Sequence, residues 1–128
     1  MKIEILNTDT CITKTTNWIQ WERFKPTDPP TSDLQTYEPI VYKCPDCDYE
    51  VAFKDKDFRK HSRSNFSNLD KNTVEAMDVF IKLNNLKKES FLDFNCPQCK
   101  KPTRILFSDG YGGKGDYGVM IESVIKVK

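Results

Sequence analysis

Alanine is almost missing from this chain. Only two of 128 residues are Ala, at positions 52 and 76, whereas Val, Ile and Thr together number 26. That balance argues against a mostly helical protein and for one that leans to strand. Glycine is equally confined: all five lie between Gly110 and Gly118. No charge of one sign dominates, since 20 Lys and Arg face 19 Asp and Glu for a net charge of +1. A domain held to nucleic acid by a broad electrostatic field carries a large basic excess, and this chain lacks one. No apolar run approaches the ~18–20 residues of a membrane span. The first residues turn polar after Lys2 without a signal-like apolar stretch, so the expectation is a cytoplasmic protein with no membrane partner.

Apolar residues are also sparse. They make up 38% of the chain against 30% charged, and the mean hydropathy is −0.64. A small or divided core of this kind gains from a covalent or metal staple. Disorder is excluded by the 8 Phe, 5 Tyr and 2 Trp, which must pack somewhere. The length suits one domain, read as an N-terminal arm and Pro-rich loop over 1–39 followed by a core over 40–128. Within the arm, residues 2–6 and 16–24 read as strands, and four of the seven Pro fall in 25–39.

The remaining pattern is a hairpin stated twice. Strands over 40–43 and 48–54 flank CPDC, and strands over 91–95 and 103–107 flank CPQC. Between them, Val74, Met77, Phe80, Ile81 and Leu86 recur at helical steps, which predicts one inserted helix over about 72–88. Asp70 or Asn72 is placed to cap its start, with Lys87 and Lys88 at its C-terminal end. Residues 55–68 are polar without a clean period. A last strand spans 119–127, where period two puts Ile121, Ile125 and Val127 on one face.

Four cysteines sit where the hairpins turn. Cys44, Cys47, Cys96 and Cys99 form two C-x2-C pairs separated by 48 residues. Two intervening residues make a turn tight enough to aim both sulfurs at one centre, and its N–H groups offset the thiolate charge. Four such sulfurs suit one structural Zn2+; iron uses the same set, and a thiol redox pair is the other reading of a CPxC. Disulfides are disfavoured by the cytosolic address. A closed four-sulfur site keeps no position open for substrate, so the metal would be structural. Cys11 is left over and reads as a small buried or half-buried apolar residue.

CPDC and CPQC on paired hairpins resemble the zinc-knuckle pairs of zinc-ribbon proteins. The likeness covers roughly 40–54 and 91–107, and it implies an α+β fold: an antiparallel zinc-ribbon-type sheet with an inserted helix and a strand arm. Two features depart from it. Asp48 and Lys100 stand where such knuckles often carry Gly, and the segment between the hairpins is long.

No catalytic constellation accompanies the cysteines. His61, the only His, has no Ser or Cys partner at a suggestive spacing, so an enzyme is not expected and no catalytic or cofactor-binding residue is assigned. The glycine segment lacks the spacing of a phosphate-binding loop and reads as a long hairpin connection, or else as a contact surface. Trp18, Trp21, Phe24 and Tyr37 crowd the arm, either closing the core or anchoring a partner. These features favour a non-enzymatic module for a protein partner, of the immunity-like, inhibitor or adaptor kind. The rival is a nucleic-acid-binding ribbon acting in transcription or translation. It would use Lys54, Lys56, Arg59, Lys60 and Arg63, interleaved with Phe58 and Phe66, together with Lys100, Lys101 and Arg104. The oligomeric state is not specified.

Overall fold

In the computed structural model, residues 1–12, 18–20, 40–111 and 117–128 are described. In chain order the elements are β1 (Ile3–Leu6), α1 (Thr8–Cys11), β2 (Trp18–Gln20), β3 (Ile40–Lys43), β4 (Glu50–Phe53), α2 (Asp55–His61), α3 (Lys71–Leu83), β5 (Ser90–Asn95), β6 (Pro102–Tyr111) and β7 (Tyr117–Val127). The architecture is α+β and mainly antiparallel. One five-stranded sheet runs β1-β7-β6-β5, with β2 also paired to β7, and β3–β4 forms a separate two-stranded hairpin. The Pro-rich stretch and the aromatics Trp21, Phe24 and Tyr37 lie outside the described residues, as do Gly112, Gly113 and Gly115.

The sheet is covered on both faces, which divides the core as the low apolar content requires. One cluster joins the sheet to the β3–β4 hairpin, α1 and α2 through residues including Tyr42, Phe53, Phe58, Ile105, Phe107 and Val124. Phe58 stands edge-on to Phe107 with ring centroids 5.0 Å apart, and Phe53 meets Phe94 at the same distance. Cys11 is buried here as an apolar residue, and burial pushes its thiol up to about 11. The second cluster, Leu69, Met77, Ile81, Phe91, Leu106 and Ile125, packs α3 on the opposite face.

Local chemistry sets the helix limits. Asp70 caps α3 by accepting a 2.8 Å hydrogen bond from the Thr73 N–H. The helix stops five residues before the expected end. Asn85 takes a left-handed φ of 53°, the Leu86 N–H donates to the Ile81 carbonyl, and the Asn85 N–H donates to the Lys82 carbonyl. That pair of bonds is a Schellman motif with Asn in place of Gly. Leu86 therefore packs on the core from outside the helix, and Lys88 reaches Asp78 at 3.1 Å rather than capping the terminus. The insertion holds two helices, not one: α2 forms in the polar stretch because Phe58 anchors it in the core and the Asp57 carboxylate accepts from the Lys54 N–H at 2.8 Å.

A β-bulge overturns the single-face reading of β7. The register shifts between Leu106 and Phe107, where Leu106 pairs with Ser123 but Phe107 pairs with Ile121. Glu122 is the extra residue, and it reverses the alternation. Ile121 joins the hairpin-side cluster, while Ile125 and Val127 face α3. The glycine segment is a hairpin connection at both ends, since the ladder continues through Gly110–Gly118 to Tyr111–Tyr117.

Candidate metal centre

The two cysteine turns have the same backbone. In the first, the Asp48 N–H donates to the Cys44 carbonyl at 2.8 Å and the Cys44 N–H donates to the Tyr49 carbonyl at 2.9 Å. In the second, Lys100 donates to Cys96 at 2.8 Å and Cys96 donates to Lys101 at 3.1 Å. Both turns close through a left-handed residue, Asp48 with φ 63° and Lys100 with φ 67°. The residue after the second Cys thus adopts the conformation that Gly takes most easily, although neither position is Gly.

The hairpins belong to different sheets, and their tips converge. Cys44 Sγ lies 3.7 Å from Cys99 Sγ, and Cys47 Sγ lies 3.5 Å from Cys96 Sγ. All four sulfurs fall within 4.8 Å of one another. A tetrahedral site with Zn–S bonds of ~2.3 Å has sulfur–sulfur edges of about 3.8 Å, so the cluster is close to the size one ion needs. Cys44 and Cys96 are buried, and Cys47 and Cys99 are half-buried. The donor set is all sulfur and complete, which suits a closed site.

Backbone dipoles favour ionisation at Cys96. Burial opposes a charged Cys96, but N–H groups of Cys99 and Gln98 and the neighbouring thiols outweigh it, leaving Cys96 lowered to about 7. Crowding has the opposite effect elsewhere. Although the Tyr49 N–H favours the Cys47 thiolate, burial and three adjacent sulfurs push that thiol up to about 12. Four thiolates cannot share this space without a cation, which is the electrostatic condition a metal ion satisfies.

The third residue of each tetrad ties the knuckles together, which the spacing of the cysteines alone does not reveal. Asp46 binds Lys101 of the second hairpin at 3.2 Å and also pairs with Lys126 of β7. Those two hydrogen bonds, from Lys126 first, hold the Asp46 carboxyl below the usual range. In return, Gln98 donates from Nε2 to the Cys47 carbonyl at 3.3 Å. The only sequence signal was the polar identity of these two positions.

Other candidate residues separate. Arg104 is not available to a phosphate: its side chain is inaccessible, bound to Asp93 and Asp78. Phe58 is in the core, so Phe66 remains the exposed aromatic of that stretch. Lys54, Lys56, Lys60 and Arg63 are exposed, and Arg63 lies 3.9 Å from Glu89. The His61 Nδ1 is 2.8 Å from the Asp57 carbonyl, and its ring tilts on Phe66. No helix among the described residues is long and apolar enough to cross a membrane. Comparison with family models, with curated proteins and with solved structures finds no match for this chain.

Proposed function

We propose that this chain is a non-enzymatic, cytoplasmic module of zinc-ribbon type that holds one structural Zn2+ and binds a protein partner. The observation that carries the metal reading is the convergence of Cys44, Cys47, Cys96 and Cys99 from two like-built turns, with all four sulfurs within 4.8 Å of one another. Zinc fits better than a redox pair because each C-x2-C leads into a strand, not into a helix N-terminus, and because the two pairs converge on one another. It suits a binding module because all four corners are filled by protein.

A protein partner is favoured over nucleic acid by where the cations near the knuckles go. Arg104 is consumed by two carboxylates, and Lys101 and Lys126 converge on Asp46. The cationic side chains left exposed on and near α2 share that surface with Asp57 and Glu89. A non-enzymatic role is supported by His61, whose Nε2 is buried without a hydrogen-bond partner and so is poorly placed to take a proton from a substrate.

The test is native mass spectrometry of the chain isolated from its own cells, with a salt series on whatever accompanies it. One zinc and a protein partner that survives high salt is the expected result. Bound nucleic acid whose affinity falls steeply with salt overturns the partner class. A metal-free chain four protons light, with two disulfides, overturns the metal reading.

A further inference from the structure

The first strand leaves one edge of the five-stranded sheet open among the described residues. β1 pairs β7 in a register that sets Ile3 opposite Val127 and Ile5 opposite Ile125. The Lys128 N–H donates to the Lys2 carbonyl at 2.9 Å, which identifies Lys2 as a residue whose backbone groups face β7. Antiparallel ladders alternate, so Glu4 and Leu6 also face β7, while the N–H and C=O of Ile3 and Ile5 point away from the sheet. No strand among the described residues pairs with that side. An edge of this kind is a template for another strand.

Beside it lies a second unsatisfied feature. α3 buries Thr73, Met77 and Ile81 on the sheet, yet Ala76, Val79 and Leu83 form another apolar stripe at steps of three and four residues. Val79 is 55% exposed and Leu83 80%. This stripe, with Phe80, Met1 and Ile3, lines a groove of about 440 Å³ between α3 and β1. Met1 and Ile5 are exposed at 69% and 49%. Open backbone and open apolar surface therefore share one side of the molecule.

We infer that this side is a homodimer interface, in which β1 pairs antiparallel with β1 of a second copy and extends the sheet across a two-fold axis. The strand's own charges select that occupant. With the axis at Ile3, Lys2 stands opposite Glu4 of the other copy twice over, Ile3 meets Ile3, and Met1 meets Ile5. Residues that commonly guard an edge are here opposite in sign and two apart, so two copies attract where like charges would repel. Ile3 and its counterpart then exchange both backbone hydrogen bonds with their outward groups. The same rotation brings the two α3 stripes to one side of the joined sheets, where Val79 and Leu83 can cover each other. An isologous contact needs this kind of self-complementarity. The inference rests on the sheet edge and is independent of the metal and of any other partner.

Sedimentation equilibrium on the full metal-loaded chain, from low to high micromolar concentration, tests it. A dimer is expected. Ile5→Pro removes only an outward N–H, so it should abolish the dimer while retaining metal content and circular dichroism. Leu83→Glu, which changes an exposed position, should do the same. Glu4→Lys places Lys against Lys2 of the other copy and should weaken association by about tenfold, whereas Lys2→Glu with Glu4→Lys should restore it. This charge exchange keeps the test decisive if Ile5→Pro fails to fold. A monomer throughout the range, a dimer that folded Ile5→Pro leaves intact, or a charge exchange that restores nothing overturns the inference.

Discussion

Arg104 and Asp93 stand directly opposite each other in the β5–β6 ladder and join through two hydrogen bonds of 2.7 and 2.9 Å. Neither side chain is accessible to solvent. The pair is completed on every side. The Ser67 hydroxyl donates to the Asp93 carboxylate at 2.6 Å, Arg104 Nη1 reaches Asp78 of α3 at 2.8 Å, and the Phe91 ring lies 4.2 Å from the guanidinium. The pair thus connects two strands, the segment before α3 and α3 itself. A bidentate guanidinium suits this geometry in a way an ammonium does not.

Arg104→Met should therefore destabilise the fold by ~3–5 kcal/mol, because Asp93 is left charged and buried without its partner. Adding Asp93→Leu should recover much of the loss. Urea unfolding of the two variants and the parent measures both effects. Equal stability of the double and single variants would mean that the pair contributes through packing alone.

Cys96→Ser removes one corner of the sulfur cluster. The expected outcome is loss of bound metal and of most of the ~10–16 kcal/mol that a structural zinc contributes in finger-sized systems. Metal analysis and thermal unfolding of the variant check it. Unchanged metal content and melting would reject the four-cysteine site.

Acid should weaken the attachment of α3. Burial raises the Asp78 carboxyl, but hydrogen bonds from Arg104 and Lys88 outweigh it and hold the group below the usual carboxylate range. A depressed folded pKa contributes stability that is present above the unfolded value. That contribution is lost as pH falls below about 4 and through the folded value. The stability gap between the parent and Asp78→Asn should therefore be largest near neutrality and close on acidification. Denaturant midpoints at a series of pH values, with metal content followed in parallel, measure the gap.

Lys100→Gly should raise stability by about 0.5–1 kcal/mol, because a φ of 67° costs a side-chain-bearing residue and not glycine. The loss of the exposed Lys100–Pro97 hydrogen bond, 2.7 Å long, limits the gain. Melting temperatures of the metal-loaded proteins decide the sign. Glycine at Asp48 should act in the same direction.

The elements with strong local signals were legible as sequence. The hairpins around CPDC and CPQC, the β1 strand and a cap for α3 at Asp70 or Asn72 depend on neighbours a few residues apart, and the structure uses Asp70. The end of α3 is hidden in the sequence because Leu86 continues the apolar period, although a left-handed Asn85 stops the helix. α2 shows no period in the sequence, because Phe58 is the one buried residue among its described side chains. The phase of β7 differs from strict alternation because of a bulge, which leaves no mark on composition.

The sequence by itself determined the chemistry at the hairpin tips: four thiols in two C-x2-C turns, and too little apolar matter for one large core. Turn geometry is local, and so a few residues specify it. Tertiary structure alone decided that Asp46 would span two lysines, that Arg104 would disappear into an ion pair, and that the sheet would bury both faces yet leave β1 without an outer neighbour among the described residues. Each of these depends on which strands become neighbours. Charge and hydropathy read along a chain do not record that, because a cation has the same sequence signature whether it faces water or a buried carboxylate.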